Sequence, residues 1–60
     1  MPWTLNRYPA AMAHLPAIVR EKAIEIANAL LEEGVEEGKA IRIAIAKARA
    51  WAARRGLLAA

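Results

Sequence analysis

The 60-residue chain contains no cysteine, no aspartate and no serine, and His14 is its only histidine. The lack of cysteine excludes a disulfide framework and thiolate chemistry, and it fits a protein of a reducing compartment. Without these residues, neither a Ser/His/Asp nor a Cys/His arrangement can be built from one chain. A zinc site needs three or four ligands, which one histidine cannot supply. We therefore predict a non-enzymatic protein with no catalytic residue, no metal and no cofactor.

A long apolar run is also lacking. The longest stretch without a formal charge is 8–19, and Pro9 and Pro16 interrupt it. This stretch is well short of the roughly 20 apolar residues that span a bilayer. Arg7 and the prolines also interrupt the place where a signal peptide has its apolar segment. We therefore expect a cytoplasmic protein without a leader.

Alanine makes up sixteen of the thirty-five apolar residues, which are 58% of the chain. A chain of this size buries only about 60% of the surface that its unfolded form exposes, so its stability is marginal. Alanine has the highest helix propensity of all residues. We predict an all-α fold in one small helical domain over residues 1–56, followed by a frayed tail at 57–60.

Two prolines divide the first part of the chain. Pro9 suits the first turn of a helix because the N–H that it lacks would be unpaired there, and Pro16 repeats this arrangement. The spacing predicts an N-terminal arm, then a short first helix or turn at about 9–14, and a second helix that begins at 17. The arm and the short helix are expected to cover the longer helices with four apolar residues: Trp3, Leu5, Met12 and Leu15.

Glycines delimit the two longer helices. Apolar residues recur with a helical period over 17–33, and Gly34 is placed to be the left-handed residue that ends this helix. A third helix is predicted over 39–55, and Gly56 ends it. We expect Gly38 to allow the close approach of another backbone, because glycine otherwise lowers helix propensity. The short turn makes the two long helices an antiparallel hairpin within a three-helix module.

Arg20 lies inside the apolar face of the second helix on the helical wheel. With a common rise of about 1.5 Å per residue, residue x of the second helix lies near residue 70 − x of the third. We therefore predict that the Arg20 guanidinium stacks on the Trp51 ring. The same register sets the larger apolar residues of the second helix against alanines of the third. The predicted structural residues are Trp3, Arg20, Gly34, Gly38 and Trp51.

Opposite charges are segregated along the chain. Residues 1–38 carry three basic and six acidic side chains, whereas residues 39–60 carry six basic side chains and no acidic one. On the wheel, the cations of the third helix lie within an arc of about 160°. Such a face attracts phosphate groups, and each contact releases a counterion. The predicted nucleic-acid-binding residues are Lys39, Arg42, Lys47, Arg49 and Arg54.

Three interpretations of this cationic surface stay open. An accessory nucleic-acid-binding protein would contact phosphates with little base readout, for which only Arg42 and Arg49 could serve. A protein-interaction or homodimerisation module, acting as an adaptor or regulator, would pair the surface with acidic side chains of a partner. The third interpretation is a solubilising surface. We therefore expect a nucleic acid, a protein or a second copy as partner, and no membrane. The glutamates of the second helix that would pair with a basic helix are Glu21, Glu25 and Glu32.

Most of the chain resembles a family of short uncharacterised bacterial proteins. The motifs are a Met-Pro-Trp start at 1–3, Tyr-Pro at 8–9, a Val-Arg-x-Lys-Ala-Ile segment from 19, a Glu-Gly-x-x-Glu-Gly turn at 33–38 and a Lys-Ala-x-x-Trp end at 47–51. The chain is also more loosely similar to ChaB-like helical proteins, named for cation-transport regulation. That similarity rests on Leu15-Pro16, Asn28 and Ala48-x-x-Trp51. Both resemblances imply a small helical fold, and neither implies a catalytic residue or a ligand.

Overall fold

The computed structural model describes residues 3–56, and the tail predicted at 57–60 lies outside them. Two α-helices account for most of this part of the chain: α1 (Ala17–Glu32) and α2 (Glu37–Arg54). No strand occurs in residues 3–56, and the arm contains a single bridge between Thr4 and Arg7. The all-α class is therefore confirmed.

Where the sequence predicts a short helix or turn, the structure has a single 3-10 turn at Ala10–Met12, so the three-helix arrangement is not confirmed. The hydrogen bonds here join residues three apart, such as Leu15 N–H to the Met12 carbonyl at 3.1 Å. Proline disfavours the α conformation at the residue before it, so Leu15 cannot continue a helix into Pro16. The segment between the two prolines is too short for an α-helix that must also end there.

Helix α1 begins after Pro16, as predicted. Pro16 has extended backbone angles, and its carbonyl accepts the first helical hydrogen bond from Arg20 N–H at 2.8 Å. At the other end, Gly34 has φ +92°, so the predicted left-handed position is confirmed. Gly34 N–H bonds to the Leu31 carbonyl and Val35 N–H to the Leu30 carbonyl, both at 3.0 Å. This pair of bonds is the Schellman arrangement that ends a helix.

Helix α2 begins with a side-chain cap from Glu36. One carboxylate oxygen accepts Gly38 N–H and the other accepts Lys39 N–H, each at 3.0 Å. These hydrogen bonds hold the pKa of Glu36 below its ordinary value, and Arg42 acts in the same direction. The stabilisation is therefore present above the pKa of the unfolded chain's carboxyl, and it is lost as the pH falls through the lowered folded value.

Gly38 does not serve the close backbone approach that we expected. A Cβ atom there would meet only side chains: the Glu36 carboxylate oxygens at 3.4 Å and Arg42 Nη1 at 3.7 Å. The residue lies in the first turn of α2, where its backbone N–H donates to the cap. No second backbone segment packs against it, so the prediction was wrong.

Alanine substitutions at Gly34 and Gly38 should have opposite effects on stability. Gly34→Ala is expected to destabilise the fold by about 1 kcal/mol, because an L-residue is strained at positive φ. Gly38→Ala is expected to stabilise it by about 0.5–1 kcal/mol, because the position is helical and a Cβ there makes only ordinary van der Waals contacts with side chains. Thermal melts followed by circular dichroism measure both, and each substitution is the control for the other. Two shifts of the same sign would contradict this assignment.

Alanines line the contact between α1 and α2. The α2 side consists of four alanines with no exposed surface, one per turn, and α1 faces them with Val19, Ala23 and Ala27. Small side chains let two helix axes approach closely, and the burial of this row fits that role for α2. The α1 side also includes the small residues Ala23 and Ala27, and not only the larger residues that the register predicted. The register is also near the prediction. The rule pairs Lys22 with position 48, and the structure places Lys22 against Trp51, about one turn further along α2. The buried alanines of α2 are Ala40, Ala44, Ala48 and Ala52.

The arm and the 3-10 turn cover one flank of the hairpin. Met12 and Leu15 are buried, and Trp3 packs half-buried against the same core. Leu5 was predicted to help cover the helices, but its side chain is 50% exposed, so that part of the prediction was wrong. Asn28 of α1 is 5% exposed and donates to the Trp3 carbonyl at 3.0 Å. A hydrogen bond from α1 therefore holds the arm in place.

Candidate nucleic-acid interface

The cations of α2 lie on the side of the helix that faces away from α1. Helix α2 packs on α1 through its alanine row, and the residues on the opposite side are exposed. The structure therefore brings the predicted binding residues together on one open surface. We call this surface the basic face; its residues are Lys39, Arg42, Lys47, Arg49 and Arg54.

Four of these cations form two rows along the helix. Arg42 and Arg49 are seven residues apart, as are Lys47 and Arg54, which corresponds to about 10.5 Å along the axis in each row. The two rows are about 140° apart around the helix. Between the rows lie Lys39, the half-buried Ile43 and three exposed alanines, which are Ala46, Ala50 and Ala53.

The cations differ in their partners. In the described part of the chain, the side chains of Lys39, Lys47 and Arg54 make no hydrogen bond and no ion pair. Arg42 lies beside the Glu36 cap and lowers the pKa of that carboxyl. Arg49 Nη2 lies 2.8 Å from His14 Nε2. Because the guanidinium can only donate, His14 must accept through an unprotonated Nε2.

His14 thereby joins the edge of the basic face, which sequence reasoning missed. His14 and Arg49 are 35 residues apart in the chain, so only the tertiary structure brings them together. Arg55 was also left out of the predicted site. Its guanidinium lies 5.2 Å from the centre of the Trp51 ring, a contact that the four-residue spacing on a helix could have indicated.

Trp51 lies between two cations. Lys22 Nζ is 5.3 Å from the ring centre, and Arg55 approaches the same ring. Both distances are within the range of cation–π attraction. Trp51 is half-buried against the core of the hairpin. Its ring also makes cation–π contacts with Lys22 and Arg55 at the edge of the basic face.

Arg20 does not stack on Trp51 as predicted. Its guanidinium lies 4.8 Å from the centre of the Tyr8 ring and donates to three backbone carbonyls. The helical wheel gave the angle of Arg20 but not the flank of the hairpin that it faces. Lys22, about 200° further round α1, is on the flank of Trp51. Arg20 remains a structural residue, and its partners are Tyr8 of the arm and the backbone of the segment that leads into α1. The accepting carbonyls belong to Met12 at 3.2 Å, Ala13 at 3.0 Å and Leu15 at 2.8 Å.

The outward face of α1 has the opposite charge. Glu21, Glu25 and Glu32 are exposed there, as predicted from the wheel. The single ion pair in residues 3–56 joins Lys22 to Glu25 at 3.0 Å, within α1 itself. No ion pair connects the acidic side of α1 to the basic face in this part of the molecule.

Other kinds of site are not found in the described residues. Residues 3–56 contain no group of three or more His, Asp or Glu side chains that could hold a metal ion. The same part of the chain encloses no pocket. Neither α1 nor α2 combines the length and the apolar character that a membrane-crossing helix requires.

The chain is similar to an uncharacterised protein of Bacillus subtilis (strain 168), YdaT. The two are 56% identical over 52 residues, which are 87% of this chain and 35% of the relative. The chain therefore spans about a third of the length of that protein. No protein-family model and no solved structure matches the chain, and the ChaB-like similarity stays a prediction. The identity to YdaT, extending over most of this chain, places it in a family of uncharacterised bacterial proteins.

Proposed function

We propose that the chain is a non-enzymatic, cytoplasmic module that binds the phosphate backbone of duplex DNA through the basic face. The observation that carries the proposal is the pair of exposed cation rows on α2. Within residues 3–56, none of these cations forms an ion pair with a carboxylate. Their charge is available to phosphates, and binding would be driven by counterion release.

The shape of α2 favours a DNA groove over a flat contact. The helix has 18 residues and a length of about 27 Å. The major groove of B-DNA is about 12 Å wide and admits one α-helix. The stretch of α2 with Ala46, Ala50 and Ala53 between the rows lets that part of the helix approach the groove floor, while cations on both sides reach the two phosphate backbones. Duplex RNA has a deep and narrow major groove, which excludes such entry.

Fluorescence anisotropy with a labelled random-sequence DNA duplex of about two helical turns tests the proposal. We expect binding at low salt, and a slope of log K against log salt of about −4 for four or five phosphate contacts. A duplex RNA of the same sequence should bind more weakly. Equal binding of the two duplexes would contradict groove entry while leaving phosphate contact in place. No binding of either at low salt would overturn the proposal.

Charge variants of one row show which surface binds. Lys47→Gln with Arg54→Gln should lower the magnitude of the salt slope by about 2, because each phosphate contact contributes about 1. The matched control is Lys47→Arg with Arg54→Lys, which keeps the charge and should keep the slope. A slope that is unchanged in the neutral variant would place the binding elsewhere on the molecule.

A further inference from the structure

The two outward faces of the hairpin carry opposite charge and point in opposite directions. Helices α1 and α2 contact each other through their buried rows, so the exposed glutamates of α1 and the basic face are on opposite sides of the molecule. Neither surface can therefore neutralise the other within one copy. The Lys22–Glu25 pair is the sole ion pair among the described residues, and it lies within α1.

The charges on the two faces also match in spacing. Glu25 and Glu32 are seven residues apart, which corresponds to about 10.5 Å on one side of α1. The two rows of the basic face have the same separation, since both repeat after seven residues. One α1 laid along one α2 would therefore bring both carboxylates opposite the cations of a single row.

Small residues permit this approach. Ala29 is exposed between Glu25 and Glu32, and it would face the exposed alanines between the cation rows of α2. Helices with small side chains at their contact pack at the short end of the usual interaxial range of about 8–10 Å. Ile18, which is 48% exposed on the same side of α1, adds apolar surface to the contact.

We propose that the acidic face of α1, formed by Glu21, Glu25 and Glu32, docks on the basic face of a second copy. The contact is head to tail, because the two surfaces that pair are different and lie on opposite sides of the molecule. Each copy that is added leaves one acidic and one basic face open. The assembly therefore extends as a chain of copies and does not close as a two-fold dimer.

This inference does not depend on DNA binding, but it uses the same basic face. Exposed ion pairs are weak one at a time and are screened by salt. The association should therefore require high protein concentration and low ionic strength. A polyanion that occupies the basic face should compete with the second copy and return the protein to monomers.

Sedimentation velocity of the nuclease-treated chain tests the proposal. At low salt, the average sedimentation coefficient should rise with protein concentration and continue beyond the value of a dimer. Near 1 M salt, where the Debye length is about 3 Å, it should return to the monomer value. A plateau at the dimer, or a monomer under all conditions, would overturn head-to-tail association.

Two complementary variants make the test independent of any single substitution. In the first, the three glutamates of the acidic face are changed to Gln; in the second, Arg42, Lys47, Arg49 and Arg54 are changed to Gln. Each variant should remain monomeric alone, and circular dichroism checks that each is folded. An equimolar mixture should form a complex with one copy of each that cannot extend.

The control for charge alone is Glu33→Gln with Glu37→Gln, at the turn, which should associate like the unmodified chain. A first variant that still extends with concentration, or a mixture that shows no complex, would overturn the proposal.

Discussion

Arg20→Met should be among the most destabilising single substitutions, with an expected loss of about 2–3 kcal/mol in the free energy of unfolding. The guanidinium donates to three carbonyls of the segment before α1 and lies over Tyr8. Hydrogen bonds to charged groups contribute about 1.5–3 kcal/mol each, and partial exposure at this site reduces the sum. In a domain of this size the melting temperature should fall by about 10–20 °C.

Two matched variants separate this role from a general loss of charge. Arg54→Met makes the same change at an exposed position of α2 and should alter stability by less than about 0.5 kcal/mol. Arg20→Lys keeps the charge but loses the fork of donors, so an intermediate loss is expected. Denaturation with urea, followed by far-ultraviolet circular dichroism, measures all three. If Arg20→Met unfolded at the same midpoint as the unmodified chain, the link between arm and α1 would not be energetically important.

Ala48→Leu should destabilise the hairpin by about 1–3 kcal/mol or more. Ala48 has no exposed surface and lies in the row through which α2 packs on α1. A larger side chain there forces the helix axes apart and disturbs the contacts on either side, which is the usual result of overpacking a core. Because the marginal stability of a small domain is of similar size, part of the population should be unfolded at room temperature.

The control for this substitution lies two residues along the same helix. Ala50 is exposed, and Leu has a helix propensity close to that of Ala, so Ala50→Leu should leave the melting temperature nearly unchanged. Equal effects at the two positions would show that helix propensity, and not the fit between α1 and α2, governs the response. A large loss at position 48 alone would establish the close approach of the two helices.

The sequence by itself determined the approximate positions of the two long helices and the sign of each face. Pro16 and Gly34 set the ends of α1 through their own backbone preferences, which are local and do not depend on distant residues. The helical period likewise placed the cations of α2 on one side. These features follow from neighbours in the chain, so the hairpin and the basic face were predictable.

The tertiary structure alone decided which flank of the hairpin each side chain faces. Arg20 contacts Tyr8 instead of Trp51, His14 contacts Arg49, and Asn28 is buried under the arm. A helical wheel gives an angle around one axis, but the side on which the arm crosses depends on packing between segments that are far apart in the chain. The cover formed by the arm and the 3-10 turn is another example, because Met12 is buried while Leu5, a residue of similar polarity, is exposed. Leu5 lies in the arm and Met12 in the 3-10 turn, and the packing of these segments on the hairpin decides which side chain is buried, because burial depends on contacts with residues far away in the chain.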